Sequence, residues 1–342
     1  MIPARRCLVI HAGALGDVLL ALPALAHLGR LGFHRVLAAA PRLVALLDGS
    51  PAAEEGIALD RLGLHRLFAP VPDTATLDAL AAHDVVVSWF GAGEPTYAAH
   101  LRRLGRPVVV ARPAPSPGSR RHASWHLIET LASLGPVPDA LPAVRLRAHA
   151  AERAWVEAWL GGRGLRPGEA VALHPGAGGP AKAWPGFPAL ARRLAAAGLP
   201  AVVVAGPADA AAVARLAEDA GVAGAVIARD LPLPRLVALF EAARAFVGND
   251  SGLSHLAAAV GCPTLALFGP TDPAVWAPVG PCARTLTGEA PPGAGDPWRG
   301  LTTARVEAAL AELTREVPVL RTGVRNGTWA GAARATDRPI HS

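Results

Sequence analysis

The chain has 342 residues, enough for two domains of about 150 residues, each able to bury its own core. Hydrophobic residues make up 51 % and charged residues 18 %, which excludes a disordered chain, and the 36 glycines and 33 prolines follow no collagen period. The net charge of +6 is carried almost wholly by arginine, because Lys182 is the only lysine; nucleic acid, an anionic membrane surface and a phosphorylated substrate all stay open as partners.

The first residues run through Arg5 and Arg6 into a strand without a hydrophobic signal core. No stretch of about 18 apolar residues escapes Gly, Pro or a charge, so a cytoplasmic chain without a transmembrane segment is expected. Cys7, Cys262 and Cys282 are too scattered for a disulfide framework or a zinc pair and read as reduced, buried residues.

Short runs rich in Val, Leu and Ile alternate with longer stretches of helical spacing, which is the pattern of βαβ units. In chain order, strands are predicted over 7–11, 36–40, 84–88 and 107–111, then, in a second set, over 170–174, 201–205, 225–228, 245–248 and 264–268. Their nearly continuous apolar character fits parallel sheets buried on both faces. The fold class expected is α/β, with two doubly wound halves. Between the halves, 151–160 reads as a helix and 161–168 as a Gly-containing linker and hinge, giving domains 1–160 and 161–316. A last amphipathic helix is predicted over 303–315 and a mobile tail over 317–342.

Ligands of such sheets bind beyond the carboxyl ends of strands, and three of those segments are unusual. In the first, Gly13 and Gly16 flank a tight strand-to-helix turn ahead of Asp17, which is either a helix N-terminal acid or a carboxylate aimed into the cleft between the domains. His11 stands where a dinucleotide fingerprint needs its first glycine, and Lys182 is followed by Ala183 rather than Ser or Thr, which disfavours a P-loop. In the second segment, His174-Pro-Gly-Ala-Gly-Gly-Pro-Ala-Lys182, glycines let backbone amides approach an anion and the lysine adds a point charge. His174 itself reads as a packed structural residue. In the third, an Asx/Ser cap at Asp250 and Ser251 opens a helix whose amides at Ser251, Gly252 and Leu253 offer an anion site, with Asn249 and His255 crowded at the same strand end. The polar stretch Phe268-Gly-Pro-Thr-Asp272 ends the next strand on the same side.

Taken together, GALGDVLLALPAL, HPGAGGPAKAWP and GNDSGLSHLAAAVGCPTLALFGPTDP, in this order and spacing, resemble the lipopolysaccharide heptosyltransferases, the ADP-heptose-using glycosyltransferases of family 9. The resemblance implies a GT-B arrangement of two Rossmann-like domains facing a cleft, and an inverting, metal-independent sugar transfer with no cofactor beyond the ADP-sugar donor. Residue by residue it implies Asp17 as general base, Lys182 and the amides of Ser251, Gly252 and Leu253 as diphosphate contacts, Asp250 as a donor-sugar contact and His255 as a pocket residue. Gly176 and Ala177 stand in the phosphate loop as implied donor contacts, and relatives often carry Thr or Ser where this chain has Ala177, Gly178 and Gly179. Asp209 is the nearest counterpart of a ribose-holding glutamate, one methylene shorter, and His11 replaces an arginine common in relatives. The acceptor implied is an anionic glycolipid at the inner face of the inner membrane, with Gly13, Gly16, Arg120 and Arg121 on its side. Arg120 and Arg121 belong to a stretch, 95–128, with six arginines and no acid. His122 and His126 have i,i+4 spacing, but no third ligand lies near and no metal is expected.

Two other readings compete: a non-catalytic nucleotide-sugar-binding protein, which would not depend on Asp17, and a Rossmann oxidoreductase, which the broken glycine fingerprint disfavours. A nucleic-acid binder is weaker still, because only Tyr97 and Trp125 lie among the arginines of the basic stretch.

Overall fold

The computed structural model describes residues 4–217, 225–289 and 295–323. In the first domain, β1 (Arg5–Ile10), β2 (Phe33–Ala39), β3 (Glu55–Ala58), β4 (Val85–Ser88) and β5 (Val108–Val110) form an all-parallel sheet in the order β3-β2-β1-β4-β5. Alternate residues of β1 enter separate cores, Cys7 and Val9 on one face, Leu8 and Ile10 on the other. That two-sided burial is why the strand is continuously apolar.

The second domain repeats the plan with β6 (Val171–His174), β7 (Ala201–Ala205), β8 (Val226–Arg229), β9 (Ala245–Asn249), β10 (Thr264–Phe268) and β11 (Ala283–Thr287). Its order is β11-β10-β9-β6-β7-β8, again all parallel. The nine predicted strands are present. The two that the sequence did not signal, β3 and β11, are half-buried edge strands without a continuous apolar run. In each sheet the winding reverses between two central strands, β1 and β4 in the first and β6 and β9 in the second, and the crevice for a ligand opens there.

Between the two sheets, the packing of the connecting segment bears on where the domains divide. The helix Ala150–Gly161, expected to close the first domain, packs on the helix Leu233–Ala242 of the second. Arg153 reaches Glu241 at 2.7 Å, Arg235 reaches Glu152 at 3.1 Å, and the Arg235 guanidinium lies 4.1 Å from the Trp155 ring centroid. Earlier still, Leu146 N–H donates to Ala259 O at 2.9 Å and Arg145 Nε to Val260 O at 2.8 Å. We therefore propose a domain boundary ahead of Arg145 rather than at residue 161, and the 161–168 run lies inside the second domain, where Gly168 N–H bonds Ala242 O. At the other end, the last helix spans Thr303–Gly323, so the first seven residues expected in the tail are helical; 324–342 lie outside the described residues.

The domains meet through two helix starts. The helix Leu15–Leu20, after β1, packs against the helix Gly252–Val260, after β9. A Cβ on Gly252 would come within 2.9 Å of Leu15 Cβ, and one on Gly16 within 3.2 Å of the His255 ring, so glycine is what permits this approach.

Candidate functional site

The convergence of the two helix starts puts the sequence-predicted residues around one cleft. On the first-domain side, Asp17 lies in the first turn of its helix, where its Oδ2 accepts the Ala14 N–H at 2.9 Å. The negative side chain suits that helix end. Gly16 faces the second domain rather than an open acceptor surface, being packed against His255 and the Gly252 Cα.

On the second-domain side, β9 ends in Asn249, Asp250 and Ser251. Asn249 is fully buried and works as a clasp: its Oδ1 accepts the Trp184 N–H at 2.9 Å, and its Nδ2 donates to the carbonyls of Pro175 and Gly176 at 3.0 Å each. It thereby pins both ends of the Gly-rich loop to the strand, which fixes where Lys182 stands. The Lys182 ammonium lies 2.7 Å from Asp250 Oδ2, and the Thr271 hydroxyl donates to the same oxygen at 2.7 Å. Thr271 was not singled out from sequence; its signal was the polar end of the β10 strand.

Ser251 occupies the N-cap of the helix Gly252–Val260, yet its side chain does not cap it. The hydroxyl instead meets His174 Nδ1 at 3.2 Å, correcting the expected Asx/Ser cap, and the amides of Gly252 and Leu253 are left without a side-chain acceptor from Ser251. His174 is more than a packed residue, since its Nε2 also meets Asp209 Oδ2 at 3.2 Å, and that oxygen accepts the Gly206 N–H at 2.8 Å. Burial would raise the Asp209 pKa, but the His174 and Gly206 bonds outweigh it and hold the carboxyl below its usual range. Asp209 is thus committed to His174, and its Oδ1 crowds Gly176, where a Cβ would come within 1.9 Å. Its short side chain turns into the loop, which does not favour the expected ribose contact. Ala177 is half-exposed on the same loop.

His255 is the electrostatic meeting point. Burial pushes it down to about 4, opposed by the Asp250 carboxylate; His122, Asp17 and Lys182 also act on it. It is therefore neutral at pH 7, a buried ring within the electrostatic reach of Asp17, Asp250 and Lys182.

The basic stretch of the first domain is partly neutralised. Arg121 pairs with Glu129 and lies over the Trp125 ring, while Arg120 is 80 % exposed at 3.6 Å from Asp272 of the second domain. His122 Nε2 meets Ala277 O and His126 Nε2 meets Arg112 O, so the two imidazoles turn to different partners. Among the described residues, no three His, Cys, Asp or Glu side chains are grouped to hold a metal ion. Also among them, no helix is long and apolar enough to cross a membrane.

Residues 140–294 match the model of glycosyltransferase family 9 (heptosyltransferase). Lipopolysaccharide heptosyltransferase 2 of Salmonella typhimurium is 35 % identical over 123 residues, 34 % of this chain and 35 % of that protein, so the chain is aligned with only about a third of that relative's length. Two solved structures share the fold over nearly all of both chains. A family 9 glycosyl transferase from Veillonella parvula has a TM-score of 0.74 at 20 % identity, covering 91 % of this chain and 97 % of its own. The Escherichia coli ADP-heptose lps heptosyltransferase II has a TM-score of 0.70 at 22 % identity, covering 91 % and 99 %. Both sheets therefore belong to a GT-B arrangement.

Proposed function

We propose that the chain is a glycosyltransferase of family 9, an inverting enzyme moving a heptose, or a related sugar, from an ADP-sugar to an anionic glycolipid of the lipopolysaccharide-core type; the match of residues 140–294 to that family's model and the shared fold support this reading. The observation that carries this reading is the convergence of Asp17, the Lys182–Asp250–Thr271 group and the Gly252 helix start around His255, between the two sheets' switch points.

The chemistry follows from that placement. The Asp17 carboxylate takes the proton of the acceptor hydroxyl as its oxygen attacks the anomeric carbon, a role that contributes roughly 10²- to 10⁴-fold. The bond from that carbon to the diphosphate oxygen breaks, and negative charge grows on the leaving ADP. Lys182 and the Gly252 and Leu253 amides, fixed before the reaction, stabilise that charge where it appears. A fixed ammonium and a helix start supply this in the role that a divalent metal ion could otherwise fill. Asp250, bonded to both Lys182 and Thr271, is held in place to meet hydroxyls of the donor sugar. Arg120, the freer of the two arginines, is the proposed contact for the phosphates of an acceptor presented at the inner face of the inner membrane. Closure of the domains on the donor excludes water that would hydrolyse it.

The test is calorimetric titration with ADP, UDP and NAD in parallel, followed by transfer from ADP-heptose to a heptose-free core acceptor. Preference for ADP together with transfer supports the proposal. Preference for NAD, or ADP binding with no transfer to any core acceptor, overturns it.

A further inference from the structure

The loop before Asp17 contains a residue for which the proposed chemistry has no role. His11, which follows β1, is fully buried, and its Nε2 has no hydrogen-bond partner. Buried polar atoms without partners are rare, and each one calls for a reason.

The reason lies in the other nitrogen. Gly13 N–H donates to His11 Nδ1 at 3.0 Å, so Nδ1 must carry a lone pair, and the proton of the neutral ring sits on Nε2. One residue on, Ala14 N–H donates to Asp17 Oδ2 at 2.9 Å. Two consecutive amides are thus held by two side chains, one upstream and one downstream. Gly13 is pressed between those side chains: a Cβ on it would lie 2.6 Å from His11 Cε1 and 2.7 Å from Asp17 Cβ. The ring is itself held from behind by an edge contact with Trp89, at 5.8 Å between centroids. Burial lowers the His11 pKa to about 4, so the acceptor lone pair is present at neutral pH.

We infer that His11 is a positioning residue for Asp17: by accepting the Gly13 amide it sets the turn that aims the carboxylate into the cleft, and the unpartnered Nε2–H is the cost of keeping Nδ1 as an acceptor. The inference rests on Asp17 being the base of the proposed transfer.

The test compares His11→Leu, which removes the acceptor, with His11→Asn, whose Oδ1 restores it, each in the parent and in Asp17→Asn. In the parent, His11→Leu should lower kcat roughly 10- to 100-fold, the scale for a displaced catalytic group, with KM for the donor changed less than about threefold. His11→Asn should recover most of kcat. The leucine removes the unpartnered Nε2–H but leaves the Gly13 N–H without its acceptor, two effects that offset each other, so Tm should change little while kcat falls. In Asp17→Asn, His11→Leu should cost little more. A joint fall in Tm and kcat with no rescue by asparagine, or an undiminished loss in Asp17→Asn, would overturn the inference. A readout that needs no turnover separates this from failure of the transferase proposal. By nuclear magnetic resonance, Gly13 amide exchange should speed up and the Asp17 carboxyl carbon signal should move in His11→Leu but not in His11→Asn. If the parent transfers no sugar and these signals still respond, the transferase reading fails and the anchor stands. If they do not respond, the anchor fails whatever the activity.

Discussion

Lys182→Ala removes the only ammonium side chain of the protein from the proposed diphosphate site. The Lys182 side chain is 35 % exposed, whereas its partner Asp250 is 9 % exposed, so the pair is only partly desolvated. Unit charges about 4 Å apart interact by about 1 kcal/mol in water and about 4 kcal/mol at a protein surface with an effective dielectric of 20. Solvent screening at a third exposure puts the diphosphate contact between these limits, at about 2 kcal/mol, or roughly 30-fold in Kd. The free protein is affected too: Asp250 keeps the Thr271 hydroxyl but loses its cation, which should cost about 1 kcal/mol after the same discount. The assay is calorimetric titration with ADP at two ionic strengths, with thermal unfolding alongside. ADP should bind about 30-fold more weakly to the variant, and the gap should narrow at high salt. A folded variant that binds ADP within about threefold of the parent would refute the placement of the diphosphate at Lys182.

Gly252→Ala should push the two helix starts apart, because its Cβ would meet Leu15 Cβ at 2.9 Å; a loss of about 1–3 kcal/mol and weaker ADP binding are expected, and unchanged Tm and affinity would contradict the close approach. A second prediction concerns pH. His11 and His255 are both held neutral at about 4 in the fold, against 6.5 when free, so the unfolded chain takes up their protons first as pH falls. Their contribution is complete above pH 6.5 and drains away between 6.5 and 4, by about 2 kcal/mol each at pH 5. Urea unfolding at pH 7.5 and pH 5 measures this directly, and equal or greater stability at pH 5 would contradict it. The carboxyls held low, such as Asp209, lose their contribution only below the usual carboxylate range, outside this window.

The strands were legible because strands buried on both faces must be apolar throughout, as β1 and β9 are. The edge strands β3 and β11 escaped because half-buried edges do not need that pattern. The boundary proposed from packing differs from the sequence reading at the helix Ala150–Gly161, whose Trp155 and Trp159, followed by glycines, read as a closing element. The residues that claim it, Arg235 and Glu241, are over 80 positions away and cannot be weighed along the chain. In the site, Asp17, Lys182 and the Gly252 helix start were legible because strand ends, glycines and a solitary lysine are local signals. Three contacts were not: Asp209 with His174, Ser251 with His174, and Thr271 with Asp250. Each joins different strand ends, and which pairs form depends on sheet order, which spacing does not encode. The Asp209 case shows the physical limit, since a side chain one methylene shorter turned inward to an imidazole.

The most direct measurement is Asp17→Asn assayed for both ADP-heptose transfer and ADP binding. The side chain is nearly isosteric and can still accept the Ala14 amide, so the fold and the second-domain site should persist. The account predicts that transfer falls by roughly 10²- to 10⁴-fold while ADP binds within about threefold of the parent. Transfer close to the parent rate would contradict Asp17 as the base, and a parallel loss of ADP binding would mean that the carboxylate holds the donor rather than activating the acceptor.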